Sequence, residues 1–279
     1  EFDSLYLRLN LDSFVGGYGQ KRPKGLRLTS HLLSEAESGW DFTTRFNARC
    51  ENIAALDLNC LLYLTEKTLA QGYKTLGDRK KSISWKRRSN IRKSLINKLF
   101  YDKHTGWYWD YDLSKREIHR SSNAAQFLPY FVDLPKHNKQ TKWALVALTN
   151  KQIGEYGVYP CLPKSTDTLR NGENRVLWKT QWDSPNAWPP LTHFTVKGIE
   201  NYARGPGKLP NLLLHVTSNR LMLSYLESTE GQFALTGKFW EKYNVKTGGL
   251  DVTNEYPMPD FFGWTAGVYM EYALELLGP

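Results

Sequence analysis

Helical periodicity dominates this chain and limits the folds open to it. Apolar residues recur at three- and four-residue intervals across residues 52–75, 82–100, 121–134, 139–151, 188–203, 209–227, 230–243 and 263–277. In the first of these, Leu58, Leu61, Leu62 and Leu69 lie near helical spacing and Gly72 comes towards the end. Strand and helix do not alternate along the chain and no GxGxxG run is present, which disfavours a doubly wound nucleotide-binding sheet. The pattern breaks towards strand at residues 101–120. There His104-Thr105-Gly106 makes a turn before alternating Trp107, Trp109 and Tyr111, so a short hairpin is predicted. Residues 152–183 and 246–262 are rich in Gly, Pro and polar side chains and read as long loops. Loops of that length inside a compact domain are usually functional.

The 279 residues contain no run of about 18 apolar residues, the length of a membrane-spanning helix. Cys50, Cys60 and Cys161 are too few and too scattered for a disulfide framework or a CxxC zinc site, and the six histidines are dispersed. No metal or organic cofactor is expected. The first residues, EFDSLYLRLN, lack the basic and apolar regions of a signal peptide, and no Asn-x-Ser/Thr sequon occurs. Localisation and membrane association stay open.

Net charge is +9, and much of it gathers at Arg79, Lys80, Lys81, Lys86, Arg87, Arg88, Arg92 and Lys93 with no acid between. A nucleic-acid patch would explain this cluster. A solvated helix face explains it better, because Ile83, Trp85, Ile91, Leu95, Ile96 and Leu99 supply a buried side. No nucleic-acid partner is expected.

Aromatic residues make up 14% of the chain, with 10 Trp and 16 Tyr. Such residues line carbohydrate clefts and also fill large cores. Their placement beside acids is more specific. Three loop segments set a carboxylate against an aromatic wall: Glu37-Ser38-Gly39-Trp40-Asp41-Phe42, Gln181-Trp182-Asp183-Ser184-Pro185-Asn186-Ala187-Trp188, and Glu241-Lys242-Tyr243 followed by Glu255-Tyr256-Pro257 and Phe262-Gly263-Trp264. An apolar wall desolvates a carboxyl and raises its pKa towards the range of a working general acid. Two carboxyls on opposite sides of a sugar are the equipment of glycoside hydrolysis.

These segments carry a family resemblance. SGWDFTTRF at residues 38–46, QWDSPNAWPP at 181–190, and the stretch from Phe239 through Glu241 and Glu255 to Trp264 resemble, in order, the signatures of the α,α-trehalases. The resemblance implies an all-α fold, an (α/α)6 toroid, with residues 1–279 forming a single catalytic domain that is the C-terminal portion of the barrel. It implies inverting hydrolysis of trehalose to glucose, with Asp41 as general acid and Glu241 as general base. Glu255, 14 positions beyond Glu241, is the rival for the base. Gly39 and Glu255 would contact sugar hydroxyls, Trp182 and Asp183 would line the pocket, and Arg22 would match a sugar-binding arginine. Trehalose and glucose are the implied ligands.

The chain departs from the family pattern in three places. The earlier N-terminal signatures are missing, so the first half of the barrel is not represented. Lys24 follows Arg22-Pro23 where the family carries Glu. The glycine run before Glu255 is reduced to Gly248-Gly249. Exposed inner helix faces, self-association and low activity of the isolated chain are therefore expected. A sugar-binding relative without turnover, and a helical-barrel hydrolase of another glucoside, are the competing readings.

Overall fold

The computed structural model describes residues 27–41, 43–47, 49–162, 181–204, 207–254 and 256–278. The all-α architecture expected from the periodicity is present. Helices α1 (Arg27–Glu37), α2 (Leu56–Thr75), α3 (Arg79–Leu99), α4 (Leu128–Phe131), α5 (Lys139–Gln152), α6 (Pro189–Ala203), α7 (Lys208–Thr236) and α8 (Gly263–Leu277) are joined by loops and three small antiparallel sheets. β1 (Ile53–Ala54), β4 (Asp110–Asp112) and β5 (Glu117–His119) form one sheet in the order β1-β4-β5. β2 (Tyr101–Asp102) pairs β3 (Trp107–Tyr108), and β6 (Asn186–Ala187) pairs β7 (Tyr243–Asn244). The predicted hairpin of residues 101–120 is in fact two hairpins in succession, because the Asp102 and Asp112 side chains each nucleate their own turn.

α2 and α3 make a tight antiparallel hairpin. Gly77, with φ 78°, ends the first helix, and the Asp78 side chain accepts the Lys81 N–H to cap the second. Ser82, Ser89 and Ile96 recur at seven-residue steps on the side of α3 that meets α2. The Ser82 hydroxyl donates to the Ala70 carbonyl at 2.8 Å, and Arg92 makes a two-pronged bond to Glu66. This corrects the expected buried side of α3. Ile96 is buried, Trp85 and Leu99 are half-buried, and Ile83, Ile91 and Leu95 face solvent because they lie on the stripe turned away from α2.

α6 is the central helix. It starts on Pro189-Pro190, where missing N–H groups cost nothing, and packs against α4, α7 and α8. Val196, Ile199 and Tyr202 on it join Phe127, Tyr130, Leu148, Leu214, Leu221, Tyr225 and Tyr272 in the main core. A second core, with Leu56, Cys60, Tyr63, Ile96, Phe100, Tyr108 and Leu128, sits under the α2–α3 hairpin. The approach of α6 to α4 is set by Gly198, where an added Cβ would stand 3.0 Å from the Phe131 nitrogen and 3.2 Å from the Phe127 oxygen. Both neighbours are backbone. Gly198→Ala is therefore expected to lose about 1–2 kcal/mol in urea unfolding, overpacking outweighing the roughly 1 kcal/mol gained in helix propensity.

Two expected helices, over residues 209–227 and 230–243, are one helix, α7, that stops at Gly237 with φ 69°. Residues 238–242 are extended or irregular, so Glu241 sits in a loop instead of at a helix end. The segment expected to be helical over residues 121–134 is a 3-10 turn, Ala124–Phe127, running into the single turn of α4. α1 was not expected. Exposed apolar rows run along α2 (Leu58, Leu61, Leu62) and α7 (Leu209, Leu212, Leu213, Val216).

Candidate active site

The acid loop leaves α1 through Gly39, whose φ of 77° is closed to most side chains. Three bonds then fix the residues around Asp41. The Ser38 hydroxyl accepts the Trp40 N–H at 3.1 Å, the Glu35 carboxylate accepts the Thr43 N–H at 2.6 Å, and the Trp40 indole donates to Asp57 at 2.7 Å. Beneath the loop, Arg45 is wholly buried. Its guanidinium makes two bonds to Asp57 (2.8 and 2.9 Å) and two to Asp110 (2.7 and 2.9 Å), and it lies 4.5 Å from the Trp40 ring centre. Asp110 also accepts the first amide of α2, from Leu56, so the ion network ties the acid loop to both a helix and a strand.

Asp41 itself is half-buried, and burial raises its carboxyl above the ordinary value, opposed by its own backbone amide. A raised pKa keeps the proton on the carboxyl to higher pH. The alkaline limb of a kcat/KM profile is accordingly expected above the usual aspartate range of about 4, and its disappearance in Asp41→Asn checks the assignment.

Asp183 was expected to line the pocket, and the structure brings it against the acid loop. It accepts from the Thr43 hydroxyl at 2.9 Å, the Thr44 hydroxyl at 2.9 Å and the Thr44 amide at 3.1 Å. Trp182 stacks on Trp188 with ring centres 4.0 Å apart and planes 5° from parallel. Trp40 lies 5.4 Å from Trp182, and Trp264 lies 5.9 Å from Trp188. Four indoles thus form a continuous wall. It begins at the residue before Asp41 and ends at Trp264, whose indole N–H donates to the Glu241 carbonyl at 2.9 Å.

Glu241 is 3% exposed. Its Oε2 meets the Lys242 ammonium at 2.6 Å, and its Oε1 accepts the Tyr256 phenol at 2.7 Å. Lys242 is wholly buried, with its ammonium 4.7 Å from the Trp188 ring centre. Burial, then the Glu241 bond and charge, then the Asp41 charge, all push the Tyr256 phenol up. That phenol thus lies within the field of both carboxylates. The pairing of β6 with β7 holds the loops together, and Asn186 adds bonds to the Thr253 backbone on both its oxygen and its nitrogen at 2.8 Å.

Of the sequence-predicted residues, Asp41, Gly39, Trp182, Asp183 and Glu241 are brought to this wall, while Arg22 and Glu255 lie outside the described residues. Arg45, Asn186, Lys242 and Tyr256 were not singled out as site residues. Lys242 and Tyr256 stand beside the acids that were, but nothing in their spacing marks them as partners of Glu241. A cavity of about 680 Å³ between α1 and α2, lined by Leu33, Glu37, Ile53 and Leu58, contains neither Asp41 nor Glu241. The site is located by its carboxyls and tryptophans instead of by volume. Among the described residues no cluster of His, Cys, Asp and Glu is arranged to hold a metal.

Comparison with known proteins decides the family, since the trehalase family model matches residues 20–278. The chain belongs to the trehalase family. The periplasmic trehalases of Salmonella choleraesuis strain SC-B67 and Salmonella agona strain SL483 are each 32% identical to it over 257 residues, covering 89% of this chain and 41% of theirs. Among solved structures, neutral trehalase Nth1 from Saccharomyces cerevisiae superposes with a TM-score of 0.69 at 24% identity, over 98% of this chain and 48% of that one. A GH63 mannosylglycerate hydrolase from Thermus thermophilus superposes with a TM-score of 0.52 at 16% identity, over 88% of this chain and 51% of that one. The helical arrangement is that of an (α/α)6 trehalase barrel, of which this chain spans less than half the length of its Salmonella relatives.

Proposed function

We propose that this chain carries the acid–base machinery for inverting hydrolysis of α,α-trehalose to two glucose molecules. The observation that carries the reading is the placement of Asp41, half-buried and with its carboxyl raised by burial, and the buried Glu241 at the two ends of one row of stacked tryptophans. Asp41 gives its proton to the bridging oxygen as the anomeric C–O bond breaks. Glu241 draws a proton from water while the water oxygen bonds to that carbon from the opposite face. The attacked ring leaves as β-glucose and the departing ring as α-glucose. The proton then returns from Glu241 to Asp41 through solvent. Lys242 and Tyr256 orient the base, and Trp182 lines the pocket. Gly39, Arg22 and Glu255 complete the sugar contacts in this reading, and Asp183 lines the pocket from behind the Thr43–Thr44 pair. Residues 1–279 act as one catalytic domain.

A second reading, sugar binding without turnover, is favoured by Lys24 in place of a family carboxylate. Proton NMR of the chain with trehalose separates the two. Equal early amounts of α- and β-glucose, absent in Asp41→Asn, are expected for the hydrolase. Trehalose-induced shifts without glucose, even when the missing half of the barrel is supplied, favour the binder. Self-association through the exposed rows on α2 and α7 accompanies either reading and is measured by sedimentation.

A further inference from the structure

Helix α3 is the least buried long helix near the α2 hairpin and the most charged. Its 21 residues hold nine cations and no acid: Arg79, Lys80, Lys81, Lys86, Arg87, Arg88, Arg92, Lys93 and Lys98. Arg92 is spent on Glu66 and Lys81 on Asp78. Among the described residues the other seven have no ion-pair partner, so that cationic field is directed outward.

The apolar residues of α3 make this surface unusual. Ile83, Arg87, Ile91 and Leu95 follow one another at four-residue steps and so lie in one stripe. That stripe faces away from Ser82, Ser89 and Ile96, which meet α2. Ile83 is 58% exposed, Ile91 52% and Leu95 47%. Water thus meets three aliphatic side chains flanked by Lys86, Arg87, Arg88 and Lys98.

We propose that α3 is a docking surface for an anionic lipid bilayer, on which the helix lies in the interfacial plane. Cations interleaved with aliphatic residues match such a surface in both of its parts. The ammonium and guanidinium groups sit among phosphate and carboxylate headgroups, and the Ile and Leu side chains enter the boundary of the acyl chains. A duplex nucleic acid would reward the cations alone and leave the aliphatic stripe in water. A single strand would also need aromatic faces for its bases, whereas Trp85, the one aromatic residue of α3, is half-buried and covered by Arg88 at 4.8 Å. The attachment is peripheral, since no described helix is long and apolar enough to cross a membrane. It is independent of the trehalase reading, for α3 carries none of the proposed catalytic groups.

The test is flotation of the 279-residue chain with vesicles of phosphatidylcholine, with and without phosphatidylserine. Flotation only with phosphatidylserine, suppressed by salt, is expected. Each cation near an anionic bilayer strengthens binding about fivefold, so Lys86→Gln/Arg87→Gln/Arg88→Gln is expected to weaken partitioning on the order of a hundredfold. Ile83→Ser/Ile91→Ser should weaken it as well, with unchanged circular dichroism, because both side chains are already in water. Absence of flotation with phosphatidylserine overturns the proposal. So does flotation that survives the triple neutralisation, or salt-sensitive binding to duplex DNA or RNA that exceeds vesicle binding and is indifferent to the Ile83 and Ile91 substitutions.

Discussion

Glu241→Gln is expected to lower trehalose turnover by about 10²- to 10⁴-fold, the usual contribution of a positioned general base. The same change has a second consequence. It leaves the Lys242 ammonium, wholly buried and 2.6 Å from the former carboxylate, with no anionic partner among the described residues. Breaking one side of a buried ion pair costs about 3–5 kcal/mol, whereas replacing both sides with apolar groups is often neutral. Glu241→Gln/Lys242→Met should therefore recover most of the thermal stability lost in Glu241→Gln and none of the activity. Urea unfolding beside glucose release measures both. A double variant no more stable than the single one would mean that Lys242 finds another partner. Undiminished turnover in Glu241→Gln would remove it from the chemistry and return Glu255 as the base.

The second large effect is expected at Arg45. Its guanidinium is the common partner of Asp57 and Asp110, so Arg45→Met strands two carboxylates at once. A loss of about 3–5 kcal/mol is expected, a large part of the 5–15 kcal/mol that holds a typical domain folded. Arg45→Lys should rescue little, because one ammonium cannot replace four forked bonds. The network also predicts acid sensitivity. Burial by itself would raise the Asp57 carboxyl, but the Arg45 charge and hydrogen bonds, the Leu58 amide and the Trp40 indole bring it below the ordinary value. A carboxyl with a lowered folded pKa contributes stability that is complete above its unfolded value of about 4 and fades as pH falls through the folded one. Unfolding midpoints that drop below about pH 4, and drop less in Arg45→Met, are the expected signature.

How far these features could be read beforehand differs from element to element. α8 was legible to the residue, and α2, α3 and α6 to within about four residues, because their periodicity runs between clear breaks. α7 was split at Glu227-Ser228-Thr229-Glu230-Gly231, a polar run that looks like a turn. In the fold Ser228 donates across to the Gly248 carbonyl and Thr229 back to the Tyr225 carbonyl one turn earlier in the same helix, so both hydroxyls are satisfied without breaking it. The true end, Gly237 in the left-handed region, carried the ordinary helix-stop signal. At the site, the carboxyls and tryptophans were legible as motifs. Lys242 was not, because a lysine beside a glutamate in sequence says nothing about burial. Arg45 was hidden for a similar reason: its partners lie 12 and 65 positions away.

The clasp between Asp183 and the Thr43–Thr44 pair spans 139 and 140 positions of sequence. Contacts of that range lag behind local ones when a chain folds, since the loop they close must surrender its freedom before any bond rewards it. The α2–α3 hairpin, by contrast, is closed across a few residues. The loop that carries Asp41 is held by a contact of that range, so its shape depends on Asp183 and the start of α6 being in place, and a change far along the chain at Asp183 reaches it as directly as one beside it.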